Sequence, residues 1–415
     1  VNETQYDIII VGSAMAGATL TCALATFGGS KALRLAVVDR QGADLSASSA
    51  LPPTEFDVRV SAITPASQSI FERLELWSQI SAARVSPYSR MFVWEADGTA
   101  SIDFAAADIN VPALGHIVEN SVIVSALHQR LASLDTVNWY APATIADLQL
   151  PAAEGDKAAL LLDSGERLSA SLIVGADGAR SLVRERAGFA VRQWDYHHQA
   201  IVTTVRTAQA HQQTAWQRFM DDGVLAFLPL HTPPGPDGQR YSSIVWSVEP
   251  ERAQQLMGQD DAHFCSSLEK AFESRLGAIE SVAPRHAFPL HQAHARDYVK
   301  PGIALIGDAA HSIHPLAGQG ANLGLLDAWV LAKALTEARK RDVALWHHPS
   351  VLRRYQRQRK GHNLSMMALM EAFRRLYADQ PLPVRWLRNL GMRGVDRLPL
   401  VKNHLMRQAM GLDQL

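Results

Sequence analysis

Four segments at the amino end leave this chain few ways to fold. An apolar, β-branched run, DIIIV at 7–11, is followed by GSAMAG at 12–17, an Ala/Leu-rich stretch, and a second apolar run, LAVVD at 35–39. By periodicity this is strand, tight turn, helix and strand. Two apolar strands joined by a helix are buried together in a parallel sheet, through a right-handed crossover. The chain thus begins with a βαβ unit.

The turn at 12–17 resembles a GxGxxG dinucleotide fingerprint with one departure. Gly12 makes the turn and Gly17 lets helix pack on strand, but Ala14 stands where a second glycine lets a diphosphate approach the backbone. One methyl group tightens that approach without closing it, and a fresh helix amino terminus still directs N–H groups at an anion. The turn alone is a weak signal. Asp39 strengthens it, because it ends the second strand 22 residues after Gly17, close to the usual position of an acid that accepts ribose hydroxyls. Arg40 beside it suits a 2′-phosphate, which leaves NADP as a competing occupant.

Two later strand ends decide between these occupants. LIVGADG at 172–178 and IALIGD at 303–308 each run from apolar residues into Gly and Asp, implying one sheet assembled from distant segments. A nicotinamide-binding unit needs nothing from a strand so far along the chain, whereas FAD extends well past its first βαβ unit. Asp308 is placed to hold ribityl hydroxyls. Beyond it, Gly318, Gln319 and Gly320 lead into a stretch where Leu326, Trp329, Val330 and Ala334 have helical spacing. A helix starting there would aim N–H groups at the pyrimidine edge of a flavin and stabilise its reduced, anionic form. The glycines of GDAAHSIHPLAGQGANLG, 307–324, then serve to bring backbone against the ring.

The expected architecture is α/β: a Rossmann-like FAD-binding domain of the glutathione reductase type, a β-sheet substrate domain and a helical carboxy-terminal segment. Segments 1–75, 101–190 and 298–345 are assigned to the first, 76–100 and 191–297 to the second, and 346–415 to the third.

GSAMAG, VGADGARS and GDAAHSIHPLAGQGANLG together resemble the three motifs of the flavoprotein aromatic hydroxylases with the para-hydroxybenzoate hydroxylase fold. DVRVSAITPAS (57–67), LGHIVENSVI (114–123), WDYHHQAIV (194–202), LAFLPL (225–230), SIVWS (243–247) and RQAMGL (407–412) extend the resemblance along nearly the whole chain. These are similar to the ubiquinone-biosynthesis hydroxylases, and most to the branch acting on 2-polyprenylphenol at ring C5. The resemblance implies that Gly12, Ala14, Gly17, Asp39 and Arg40 serve the ADP half of FAD, and that Arg59 lies near the diphosphate and ring, with Asn120 also meeting the cofactor. It further implies that Asp177 and Gly178 touch both FAD and NAD(P)H, that Gly307 and Asp308 hold the ribityl chain, and that Pro315, Leu316, Ala317, Gly318, Gln319, Gly320 and Asn322 form the flavin-side loop. The implied chemistry is reduction of FAD by NAD(P)H, addition of O2 at C4a, and transfer of oxygen from the resulting C4a-hydroperoxyflavin to a polyprenylated phenol.

Such an adduct needs a dry surround, for which the β-rich region offers Phe227, Leu228 and Trp246, each equally readable as ordinary core. His311 and His314 read better as residues that orient the loop than as catalysts, since no nucleophile or metal set accompanies them. Tyr196, His197 and His198 are weak candidates for taking the phenol proton. Cys22 and Cys265 lack metal spacing and read as inert core thiols of a reducing compartment; no metal site and no nucleic-acid partner are expected.

The formal net charge of -1 conceals a carboxy-terminal excess of Lys and Arg, including Arg385, Arg388, Arg393, Arg397, Lys402 and Arg407. Interleaved with them, Met366, Met370, Phe373 and Tyr377 share one helical face and Leu398, Val401, Leu405 and Met406 another. This suits either peripheral contact with an anionic membrane or a cap packed on the flavin domain. No apolar run spans a bilayer and the amino end lacks signal-peptide character, so a cytoplasmic location, with membrane contact from the inner face, is expected. Other proteins of ubiquinone biosynthesis are conceivable partners. Two other readings stay open: an FAD-bearing scaffold of a biosynthetic complex, and another flavin monooxygenase or halogenase of this fold, although the WxWxIP halogenase signature is absent.

Overall fold

A computed structural model describes residues 3–28, 33–43, 54–95, 101–153, 155–232, 238–312, 319–377 and 398–411. The first sheet is built around strand Glu3–Val11, which pairs in parallel with Leu35–Val38 on one side and Arg167–Gly175 on the other. Ile303–Leu305 joins in parallel beyond Arg167–Gly175, and Val137–Tyr140 beyond Leu35–Val38. These strands are covered on both faces, which is why they read as unbroken apolar runs rather than alternating ones. Ile8, Ile9 and Ile10 are fully buried between the helices.

Register carries the functional consequence. Val11 lies opposite Val38 and Gly175, and Gly175 lies opposite Leu305. These five strands point the same way, so the loops that follow them, carrying the motifs at 12–17, 176–181 and 306–312, converge on one edge. Helix Met15–Phe27 and the long helix Gln319–Arg341 pack together over this sheet.

A second sheet, led by the long strand Val191–Thr207, contains Thr214–Met220, Gly223–Leu230, Tyr241–Val248 and His286–Ala295. Its outer face is sealed by helices Pro250–Met257 and Asp261–Ala271 over Phe264, Leu268 and Phe272. Arg90–Glu95 and Ser101–Ala105 both belong to this sheet, whereas Val85–Tyr88 pairs with Gly115–Glu119 in a small sheet beside Val60–Ile63. The chain thus lies in the second sheet from Arg90 to Ala105, overlapping the expected 76–100 segment.

The carboxy-terminal region is helical where described, with helices Pro349–Tyr377 and Pro399–Ala409. Tyr355 is fully buried against the first core and donates its hydroxyl to the Leu305 carbonyl at 2.8 Å. Met406 and Met410 bury against Ala106, Ile109 and Leu114, and Lys402 pairs with Asp108 at 2.9 Å. These contacts make this end a cap on the body of the protein.

Candidate flavin site

Gly12 has φ +99°, and a Cβ there would lie 2.4 Å from the Ala176 carbonyl oxygen. A Cβ at Gly17 would lie 1.9 Å from the Gly12 carbonyl oxygen. Both glycines are therefore fixed by backbone meeting backbone, as the fingerprint reading required. Ala14 is the extended residue immediately before helix Met15–Phe27, with φ -67° and ψ -176°. This backbone is open to any residue, which explains how alanine is accommodated. No side chain caps this helix and its first turn holds no acid, so its N–H groups and positive dipole face outward, ready for a diphosphate.

Asp39 stands at the neighbouring strand end. Its Oδ2 accepts from the Ser13 amide at 2.5 Å and from the Ser13 hydroxyl at 2.7 Å, and its Oδ1 accepts from the Gln41 amide at 2.8 Å. Buried His128 donates from Nε2 to the Ser13 carbonyl at 2.7 Å, pinning the turn from its other side. Arg40 is exposed next to it.

Asp177 accepts at Oδ2 from the amides of Leu182 and Val183, at 2.7 and 3.1 Å. Its Oδ1 is buried and has no partner among the described residues. A buried, unpaired carboxylate oxygen is expensive, and a ligand hydroxyl or ring N–H would relieve it. The adjoining Gly178 has φ +81° and open space on its Cβ side. Arg184, from the short helix Leu182–Arg186, donates to the carbonyls of Ala179 at 2.6 Å and Ala309 at 3.1 Å, tying this loop to the one that carries Asp308.

Gly307 has φ +57°, and a Cβ on it would come 3.2 Å from the Ala16 Cβ of the first helix. Asp308 follows, reaching solvent at one side while protein encloses the others. That enclosure pushes its pKa upward, and the positive charges of His311 and Arg59 oppose the shift. Arg59 is exposed, and its charge acts on Asp308. Its segment is held from below: Asp57 accepts from the Arg59 and Ser121 amides, and the buried Glu119 binds both the Asp57 amide and the Arg84 guanidinium.

Asn120 accepts at Oδ1 from the Ser61 hydroxyl at 2.7 Å. Asn322 is buried, accepts from the Thr64 amide at 3.1 Å and donates to the Ala62 carbonyl at 2.8 Å, so it joins the long helix to strand Val60–Ile63. Gln319 and Gly320 open that helix. Pro315, Leu316, Ala317 and Gly318, with His314, lie outside the described residues. His311 is buried and binds Asp327 through Nε2, the orienting role its sequence context suggested.

Several of these residues had no role assigned to them from a single sequence. Ser13, His128 and Asp57 are common residue types that act through partners far along the chain. Asp327 was more visible, being a lone acid within the apolar stretch LGLLDAWVLA.

The residues present fit FAD: a glycine cradle with no room for side chains, an uncapped helix start, an unpartnered Asp177 oxygen and a recessed acid one strand further on. The chain matches the FAD binding domain family over residues 5–369. It is 37% identical over 406 residues to the 3-demethoxyubiquinol 3-hydroxylase of Escherichia coli (strain K12), covering 98% of each chain. It is also 34% identical to the mitochondrial ubiquinone biosynthesis monooxygenase COQ6 of Xenopus tropicalis, covering 97% of this chain and 92% of the relative.

The chain belongs to the FAD-dependent ubiquinone-biosynthesis hydroxylases.

Solved structures share the fold of this hydroxylase. A probable FAD-dependent monooxygenase, PqsL from Pseudomonas aeruginosa, aligns with TM-score 0.75 at 22% identity over 94% of this chain and 100% of its own. The p-nitrophenol 4-monooxygenase PnpA from Pseudomonas putida aligns with TM-score 0.73 at 19% identity, covering 100% of this chain and 98% of its own. By its family and its relatives the hydroxylase is a flavoprotein monooxygenase that uses FAD.

The second sheet of the hydroxylase turns an apolar face toward the flavin domain. Leu228, Leu230 and Tyr241 pack with Ala62, Ile117 and Tyr88 of the small sheet. Further along the same face, Ala226 lies opposite Val245, and Val245 opposite Val202, all three half-buried. Strand alternation sends Phe227 and Trp246 to the other side. Both are buried in the outer core, with Phe227 stacked on Phe272 at 3.8 Å between centroids, so they do not line this face as the sequence allowed. Tyr196 packs with Val202 and Val245 of this face and donates its hydroxyl to Gln292, while His197 is solvent-exposed and His198 Nδ1 meets the Tyr196 carbonyl. Cys22 is buried, which pushes its thiol up to about 12 and makes it inert. Among the described residues no group of three metal-ligating side chains occurs.

Proposed function

We propose that this hydroxylase adds one oxygen atom to the ring of a polyprenylated phenol precursor of ubiquinone, at ring C5 of 2-polyprenylphenol. The observation that carries the substrate class is the half-buried apolar face formed by Val202, Ala226, Leu228 and Val245, which packs through Leu228 on the small sheet that carries Ala62 and Ile117. FAD supplies the redox chemistry, taking electrons from NAD(P)H and activating O2 for transfer to an electron-rich ring. The protein's share is placement. The first helix holds the diphosphate, Asp39 and Asp308 accept sugar and ribityl hydroxyls, and Asp177 Oδ1 takes a donor from the cofactor. Arg59 supplies positive charge beside the ring. The apolar sheet face excludes water, which protects oxygen transfer from collapse to peroxide.

Ring position rests on the resemblance of the segments at 57–67, 114–123, 194–202, 225–230, 243–247 and 407–412 to that branch. A second reading, oxygenation of 3-demethoxyubiquinol, is favoured by the name of the Escherichia coli relative. Mass spectrometry of lipids from a strain lacking the protein separates them. Accumulated 2-polyprenylphenol supports the first reading, accumulated 3-demethoxyubiquinol the second, and an unchanged quinone pool contradicts both.

The carboxy-terminal region fits delivery of a lipid-soluble substrate from an anionic bilayer surface. Leu364 and Leu369 on helix Pro349–Tyr377 are 43% and 42% exposed, and Leu400 is 87% exposed. Met370 and Met406 pack inward instead, and Arg385, Arg388, Arg393 and Arg397 lie outside the described residues. Among the described residues no helix is long and apolar enough to cross a membrane, so this contact is peripheral. Flotation with anionic liposomes is expected to fall when Arg385, Arg388 and Arg393 are changed to Glu; unchanged flotation rules the contact out.

A further inference from the structure

Asp327, on the long helix Gln319–Arg341, is completely buried, and its carboxylate faces two ways. One oxygen, Oδ2, accepts from the Gly307 amide at 3.1 Å and from His311 Nε2. The other, Oδ1, accepts from Arg359 Nε at 2.7 Å and Asn363 Nδ2 at 3.2 Å, both on helix Pro349–Tyr377. Every side of the carboxylate is thus used, half by the strand end that presents Asp308 and half by the carboxy-terminal helix. The connection continues without a gap. Arg359 Nη2 also donates to the Leu323 carbonyl at 3.3 Å and to Asn363 Oδ1 at 3.0 Å, and Asn363 reaches the Tyr298 hydroxyl, which meets His294 at 3.0 Å.

We propose that Asp327 is a positioning residue for FAD, through which helix Pro349–Tyr377 sets the placement of the Gly307–His311 strand end against the cofactor. The inference rests on the FAD reading of the site and assigns a role that the three motifs do not contain. A group with four donors in fixed directions cannot shift without breaking one of them, and Gly307 has no slack either. It is held at φ +57° with Ala16 and Gly324 both close to the position its Cβ would take. Displacing its amide would move Asp308 and, through Ala16, the helix start that faces the diphosphate. A buried charged pair could serve stability alone, since such pairs are weak stabilisers and are retained for geometry in some proteins. The distinction here is that one carboxylate holds two separate elements, one of them in the cofactor cradle.

The test uses purified full-length protein and three variants, Asp327→Asn, Arg359→Lys and His311→Gln. The measurements are the FAD dissociation constant from flavin-fluorescence titration of apoprotein, the visible spectrum and midpoint potential of the bound flavin, and the thermal midpoint. Asp327→Asn is expected to weaken FAD binding by roughly tenfold or more, the scale found when a supporting hydrogen-bond partner is lost, and to shift the flavin bands and potential. Arg359→Lys is expected to lie between it and the wild type. Where Asp327→Asn fails to fold, His311→Gln gives the same readout, because it alters only the Oδ2 side. Variants that melt earlier but bind FAD with wild-type affinity, spectrum and potential overturn the proposal. Wild-type protein that binds no FAD overturns the flavin reading itself, a separate outcome.

Discussion

Single atoms decide what several residues here can be. Gly12 and Gly17 are required because a Cβ on either would sit inside a carbonyl oxygen, whereas Ala14 is tolerated because its backbone is ordinary extended chain. His211 shows how an acceptor fixes a protonation state. Its Nε2 donates to the Leu230 carbonyl at 3.1 Å and its Nδ1 accepts from the Gln213 amide at 3.1 Å, so the ring is neutral, and a proton on Nδ1 would face another donor. Burial holds its pKa down to about 4, against 6.5 for a free side chain. The unfolded chain therefore binds more protons between those values, so the stability from this site is whole above pH 6.5 and is lost as pH falls toward 4. His211→Gln is expected to flatten the fall in urea midpoint between pH 7 and pH 5, leaving a residual slope from His294, also held near 4 by burial. An unaltered slope would remove His211 from the account. None of this was legible in the sequence, because the partners of His211 are backbone groups placed by folding.

At the scale of elements, the parallel strands were readable because burial on both faces leaves unbroken apolar runs, each ending in the Gly or Asp that a ligand edge needs. The second sheet was readable as β-rich, but not which face of each strand looked inward. Alternation fixes Phe227 and Leu228 on opposite sides, yet nothing in one sequence says which side is the core. Helices Pro250–Met257 and Asp261–Ala271 settle it by covering Phe227 and Trp246. The two faces should respond differently. Ala226→Trp, on the inner face, is expected to leave the flavin spectrum and melting temperature near wild type while raising KM for the phenol and diverting NAD(P)H consumption to peroxide. Phe227→Ala, in the outer core, is expected to cost about 3–5 kcal/mol of stability without a selective change in KM. The reverse pattern, measured by denaturation and by peroxide yield, would place the substrate on the other face.

For the molecule as a whole, the cradle exists only after segments near residues 12, 39, 177 and 308 are brought to one edge by strand register. The motifs announced the edge; the ties between its parts, through Ser13, His128, Arg184 and Asp327, are pairings over long sequence separations that a motif cannot carry. The carboxy-terminal helices belong to the same assembly, since Tyr355, Arg359 and Asn363 are buried against the flavin-side core rather than held apart. All of this serves one claim, that bound FAD delivers an atom of O2 to a prenylated phenol beneath an apolar sheet. The direct test is turnover of the purified FAD-loaded protein with NAD(P)H, the phenol and 18O2, followed by mass spectrometry of the lipid product. Incorporation of one 18O atom per product molecule is expected; NAD(P)H consumption that yields only labelled peroxide, with every phenol precursor offered, would contradict it.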